Sequence, residues 1–247
     1  MIRTVLFDID DTLYSYTKAD AVAFPALAAY ARERFGISYD RFYDLYWKAY
    51  REQIRRVGHE CGATHSRVLR CQIILEWLGQ PLTFAREMEG LYWNTLLDAM
   101  EPTPGAEACL KTLKAQGYRL GIGTDLTAGW QLTKLERLGF LPYFDFMVCS
   151  EEAGADKPDP RFFALCLEKA ECGPECCLFV GDNPRRDVAG ANQAGMHGVW
   201  FRPEDGKDGQ AETQGAWFRM ENAEATGTED MLRIHSMTEL PGLAESL

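Results

Sequence analysis

The sequence predicts an α/β fold: a Rossmann-like parallel sheet core, three-layer α/β/α, with an inserted four-helix-bundle cap. Two observations predict it. Short apolar runs at Thr4–Phe7, Arg119–Thr124, Phe146–Cys149, Cys177–Gly181 and residues 198–201 recur with helix-length segments between most of them. Strands alternating with helices form a parallel sheet covered on both faces. Between about residues 20 and 100 this alternation stops, and apolar residues keep helical spacing with almost no strand signal.

Taken in order, Thr4–Phe7 is an apolar run ending abruptly in acids, as expected of a buried parallel strand whose carboxyl end opens into a site. Four candidate helices follow at 20–35, 39–57, 66–78 and 83–99, separated by Gly36, by Gly58 and Gly62, and by Gly79 with Pro81. Short connections between four helices suggest a small bundle. Pro102, Pro104 and Gly105 mark the return to the sheet, and a helix over 106–116 leads into the second strand. The α/β catalytic core is therefore expected over 1–16 and 100–247, and the helical cap over 17–99. A polar stretch at 203–227 reads as a surface excursion before a last short strand at 231–234.

A chain of 247 residues with 46% hydrophobic content can bury a substantial core. Its net charge of −11 argues against general affinity for a nucleic acid polymer or an anionic membrane. No apolar run approaches the ~20 residues of a membrane helix, and the amino terminus enters a strand without a basic region or cleavage site. A soluble, cytoplasmic protein is expected. The eight cysteines read as reduced thiols. Cys172, Cys176 and Cys177 lie close together, but no second Cys or His group follows at zinc-site spacing.

The chemistry concentrates at strand ends. The first strand ends in Asp8-Ile9-Asp10-Asp11-Thr12, where alternation can turn Asp8 and Asp10 to the same side. Two negative charges within ~4 Å cost about 4 kcal/mol at an effective dielectric of 20, so such a pair wants a cation, a shared proton or water. Cys177–Gly181 repeats the design, ending at Asp182 with Asp187 following. Adjacent strands of a parallel sheet can bring both clusters to one crevice, where Mg2+ would neutralise them. Thr124 ends the second strand and can hold a phosphoryl oxygen. Lys157 precedes Pro158-Asp159-Pro160 and a helix-like run from Arg161, which fixes its ammonium near the mouth of the sheet.

These four segments, in this order, resemble the signature of the haloacid dehalogenase-like hydrolase superfamily from Asp8 to Gly195. Asp8 to Thr12 looks like the Asp-x-Asp-x-Thr motif, Thr124 the strand-terminal Ser or Thr, Lys157 the lysine, and Gly181 to Asp187 the Gly-Asp-x-x-x-x-Asp motif. The resemblance implies a Mg2+-dependent phosphatase acting on a small-molecule phosphate ester. Asp8 would attack phosphorus to form an aspartyl-phosphate, and Asp10 would serve as acid and base with a pKa raised by its neighbours. Asp8, the backbone carbonyl of Asp10, and Asp182 would hold Mg2+, with Asp187 supporting them. Thr124 and Lys157 would cradle the phosphoryl oxygens.

Two positions depart from the common pattern: Asp11 stands where Gly is frequent, and Asp125 follows Thr124 where many members carry Asn. Asp11 reads as a turn or cap residue. Asp125 beside a phosphate site would repel the dianion unless it turns away, is protonated or meets a basic substrate group, which makes it a candidate substrate-binding residue. The inserted bundle matches the family's first cap type, making it the expected specificity element. Within it His65, Arg67 and Arg70 cluster at the start of one helix and can meet an anionic or polar part of a substrate. Arg185 and Arg186 are left outside the expected site, and Tyr43, Tyr46, Trp47 and Tyr50 read as bundle core and rim.

Three alternatives stand beside the phosphatase. A dehalogenase of the superfamily lacks the second acid, so Asp10 argues against it. A sugar-phosphate mutase would hold the phosphoenzyme for a second acceptor. A non-catalytic phosphate-binding or receiver-like switch also combines acids, a Thr and a Lys, but usually without an inserted bundle.

Overall fold

A computed structural model describes residues 1–203 and 230–247. The expected excursion at 203–227 lies, beyond Pro203, outside the described residues.

Six strands form one parallel sheet in the order β3-β2-β1-β4-β5-β6. They are β1 (Thr4–Phe7), β2 (Arg119–Thr124), β3 (Phe146–Cys149), β4 (Cys177–Gly181), β5 (His197–Phe201) and β6 (Leu232–Ile234). Alternation along each strand feeds two apolar layers. Val5, Phe7, Leu120, Ile122, Leu178 and Val180 join one cluster with Cys109, Leu110, Leu113 and Leu135, while Leu6, Val148 and Phe179 join another with Phe162, Phe163 and Cys166. Helices cover both faces, giving the three-layer architecture.

β1 lies between β2 and β4, and Phe7 pairs with Ile122 on one side and Val180 on the other. The chain runs outward to β2 and β3 and then crosses to β4, so the strand order reverses beside β1. A parallel sheet binds ligands at such a switch point, beyond the carboxyl ends of its strands. Asp8 emerges there.

Four helices follow β1: α1 (Tyr16–Phe35), α2 (Tyr39–Val57), α3 (Arg67–Leu78) and α4 (Phe84–Asp98). The side chains of Ser15, Ser38 and Ser66 cap the first three by accepting from Lys18, Arg41 and Leu69 backbone N–H groups. Helix α1 packs on α2 and α4, and α3 on α2 and α4. Phe24, Phe42, Tyr46, Met88, Tyr92 and Trp93 fill the space between them, whereas Tyr43 and Trp47 are half-buried at its rim. The bundle begins at Tyr16 rather than residue 20 because Ser15 caps it earlier than the apolar periodicity shows.

The bundle meets the sheet domain along one seam. The Asp156 N–H donates to the Glu60 carbonyl at 3.2 Å, His59 Nε2 lies 3.0 Å from the Gly154 carbonyl, and Trp93 stacks on Trp130 with centroids 4.6 Å apart. Gly62 is required there, since a Cβ would lie 2.6 Å from the Glu151 Cα. All eight cysteines are free, and Cys172 and Cys177 meet sulfur to sulfur at 3.4 Å.

Candidate active site

A cavity of about 190 Å³ opens at the carboxyl ends of β1, β2 and β4, beneath Tyr16, His65 and Arg67 of the bundle and the loop leading into it. Asp8, Asp10, Asp11, Thr124, Asp125, Lys157, Asp182 and Asp187 all line it. Segments distant in sequence thus meet where the strand order predicts.

Lys157 sits at the centre. Its ammonium donates to Asp8 Oδ1 at 2.8 Å, Asp187 Oδ1 at 2.7 Å and the Gly123 carbonyl at 3.3 Å. Burial opposes its charge, but Asp187, Asp8 and Asp125 outweigh burial and hold the Lys157 pKa well above the ordinary lysine value. Burial pushes the Asp8 carboxyl up to about 7, with Lys157 opposing and Asp187 adding to the rise. Asp182 is pushed well up as well, first by burial and then by Asp11, Asp187 and Asp8. One lysine cannot neutralise this group.

The acids nevertheless have fixed places. Asp187 Oδ2 accepts from the Asn183 N–H at 2.9 Å, and a Cβ at Gly181 would overlap its carboxylate. The Trp200 indole donates to the Asp182 carbonyl at 2.8 Å, anchoring the backbone from β5. Oxygens of Asp8, Asp182 and Asp187 lie within 4.8 Å of one another. That span suits one hard cation with oxygen ligands at about 2.1 Å, and three carboxylates supply the charge such an ion requires. These residues can hold a divalent metal.

Asp10 departs from expectation. The resemblance implied a pKa raised by neighbouring carboxylates. Burial does push it up, but the Lys134 ammonium, with hydrogen bonds from Lys134, Tyr14 and Gln131, outweighs burial and holds Asp10 below the usual carboxylate range. Lys134 Nζ lies 2.6 and 2.9 Å from the two carboxylate oxygens, the Tyr14 hydroxyl donates at 2.5 Å and Gln131 Nε2 at 3.2 Å. Asp10 is therefore held as a carboxylate. Lys134 and Gln131 belong to the helix Ala128–Leu138, and both side chains are fully buried. Gln131 also donates to Thr124 Oγ1 at 2.6 Å, joining the Thr and the second acid through one amide.

The charge of Asp125 is answered from its own side of the cavity. Oδ1 accepts from Ser150 Oγ and the Lys157 N–H, each at 2.9 Å, and Oδ2 lies 3.4 Å from Arg186 Nη2. Burial raises its pKa, but Arg186, Lys157 and His65 outweigh that and lower it. Arg186 also reaches Asp156 at 3.3 Å and Glu60 at 3.7 Å. Asp11 explains the family's glycine. Its φ is 56°, in the left-handed region that Asp tolerates better than most residues, and its carboxylate accepts from Thr17 N at 2.9 Å and Thr17 Oγ1 at 2.8 Å.

The basic residues expected in the bundle have different places. His65 lines the cavity and meets Asp156 at 2.7 Å. Arg67 lines it too. Arg70 does not: it points into the bundle, donating to Gln53 Oε1 at 2.9 Å and the Thr64 carbonyl at 2.8 Å.

Sequence reasoning missed Lys134, Gln131, Tyr14 and Arg186. A signal existed for the first two, because residues 131, 134, 135 and 138 form one helical stripe that should be apolar, yet half of it is Gln and Lys.

The doubly wound sheet thus carries, at its switch point, a carboxylate beside a buried lysine and an acid cluster that fits a metal ion. The chain belongs to the haloacid dehalogenase-like hydrolase family, whose profile matches residues 2–195. It is 35% identical to a ribulose-1,5-bisphosphate 5-phosphatase of Halopiger xanaduensis over 84% of this chain and 88% of that one. It is 34% identical to a glyceraldehyde 3-phosphate phosphatase of Methanopyrus kandleri over 82% and 84%. A crystal structure of a phosphatase of this family from Thermococcus onnurineus shares the fold, with a TM-score of 0.69, 23% identity and coverage of 98% and 97%.

Proposed function

We propose that this chain is a Mg2+-dependent phosphatase that hydrolyses a small phosphomonoester through an aspartyl-phosphate on Asp8. The observation that carries the reading is Asp8 at the switch point, 2.8 Å from the Lys157 ammonium and grouped with Asp182 and Asp187. Asp8, the Asp10 carbonyl, Asp182 and Asp187 would hold the ion, which when bound offsets the negative charge of nucleophile and substrate.

Lys157 stabilises the ionised Asp8 and, with Thr124, the oxygens over which the transferring phosphoryl group spreads its charge. An Asp8 oxygen attacks phosphorus, the ester P–O bond breaks, and the leaving oxygen takes a proton that Asp10, a carboxylate at rest, relays from solvent water. Water then attacks phosphorus of the acyl phosphate, its proton passes to Asp10, and Asp8 is regenerated. The Asp10 carboxylate held by Lys134 and Tyr14 has the form that second step needs. Residues 17–99 act as a cap that selects the leaving group, with Arg67 facing it. The same reading takes the chain as a soluble cytoplasmic enzyme, in keeping with its net charge of −11. Relatives named as phosphatases support water, rather than a second sugar, as the acceptor.

A screen of sugar phosphates, nucleotides, phosphoserine and phosphoglycolate tests this, with and without Mg2+. Metal-dependent phosphate release that EDTA and Asp8→Asn both abolish is expected. Full activity in Asp8→Asn, or indifference to chelation, would refute it.

A further inference from the structure

Four basic residues line the cavity: His65, Arg67, Lys157 and Arg186. Three have carboxylates at hand. Lys157 holds Asp8 and Asp187, His65 holds Asp156, and Arg186 answers Asp125, Asp156 and Glu60. Arg67 is the exception, with no carboxylate within 4.0 Å among the described residues. It is also 93% buried by difference, its exposure being 7%.

The surroundings of Arg67 hold its plane, and Asp20 answers its charge only across two hydroxyls. Its guanidinium stacks over the rings of Tyr92 and Trp93 at 4.2 and 4.4 Å. Its hydrogen bonds leave from Nη2 alone, to the Tyr16 and Tyr92 hydroxyls, both at 2.8 Å. Those phenols in turn donate to Asp20 Oδ1, at 3.2 and 2.5 Å, so they stand between the arginine and that carboxylate. Among the described residues, buried Nε has no partner. A desolvated cation held rigidly without a direct carboxylate partner is a ready site for a carboxylate or phosphate that a ligand brings. The cavity it lines is about 190 Å³, below the range of about 300–1,000 Å³ typical of drug-sized ligands.

From this arrangement, and resting on the phosphatase reading, we infer that the substrate is a short-chain phosphomonoester whose leaving group carries a second anionic group that pairs with Arg67. Carboxylate and a second phosphate share the required chemistry. The other basic side chains are committed to carboxylates within the protein, so Arg67 is the specificity-determining contact.

Matched substrates test the inference. 3-Phosphoglycerate is compared with glyceraldehyde 3-phosphate, and ribulose 1,5-bisphosphate with ribulose 5-phosphate, in the presence of Mg2+. For the wild-type protein, kcat/KM favours the anionic member of at least one pair by tenfold or more. Preference within the first pair identifies a carboxylate, and within the second a phosphate. In Arg67→Gln the anionic-to-neutral ratio falls to near one, and Arg67→Lys restores part of it. Turnover of both pairs without preference overturns the inference while leaving the phosphatase reading intact, whereas no turnover of any ester overturns that reading. The wild-type comparison decides even if Arg67→Gln fails to fold. A ratio unchanged in a folded Arg67→Gln protein, shown by its thermal melt, also overturns it.

Discussion

Asp10 and Asp125 are acids lining one cavity, and both are held ionised by a basic residue. The difference lies in what each partner protects. Lys134 sets the protonation of Asp10, so Lys134→Met should raise the Asp10 pKa. The acid limb of the kcat profile, where the base form is lost, then moves to higher pH, and kcat at pH 6 falls about tenfold or more. An unchanged limb would remove Lys134 from the mechanism. Arg186 instead screens the substrate from Asp125. Arg186→Ala should raise KM about tenfold by exposing the phosphoryl group to an uncompensated carboxylate, and adding Asp125→Asn should recover most of that loss. A double-mutant cycle with additive losses would contradict the pairing.

At the residue scale the places of Asp8, Thr124 and Asp182 in the cavity were legible because each stands at a strand end, and those of Lys157 and Asp187 because each follows a strand in a local pattern. Lys134 and Arg186 were not. Their partners lie far along the chain, and a lysine in a helix or an arginine in a turn reads as solvated until the fold supplies its neighbours. Arg70 shows the converse, since its spacing beside Arg67 suggested a shared task but the helix directs it to Gln53 and Thr64.

Among the elements, helix α2 has the ends its glycine and serine caps announce, Tyr39–Val57. Strands β1 and β4 were legible because burial on both faces makes them continuous apolar runs. The seam between bundle and sheet was not legible, because it depends on backbone approach rather than on side-chain pattern. Gly62 is its test. Gly62→Ala places a methyl against the Glu151 backbone and should force residues 59–65 away from 150–156, parting His65 from Asp156. KM should rise severalfold with a smaller effect on kcat, as steady-state kinetics would show. A wild-type KM would mean that the seam does not shape the cavity.

Across the whole molecule, the acid cluster makes stability depend on pH and metal. Asp8 at about 7 and Asp11 at about 6, both raised first by burial, with Asp182 raised as well, bind protons in the folded chain at pH values where the unfolded chain has released them. Stability therefore falls as pH rises from about 4 through 7. In EDTA the Tm should be higher at pH 5.5 than at pH 7.5, and Mg2+ should raise the pH 7.5 value by replacing the missing positive charge. Calorimetry would check both signs. At this scale the parallel sheet and the inserted helices followed from alternation and its interruption, while the strand order and the closeness of the acids needed the parallel pairing of β1 with β4.

The most direct measurement is a rapid acid quench of a single turnover with 32P-labelled substrate, followed by peptide mapping. The label should be acid-stable, labile to hydroxylamine and confined to the peptide containing Asp8, and Asp8→Asn should be neither labelled nor active. Label on a different residue, or turnover by Asp8→Asn at the wild-type rate, would contradict the account.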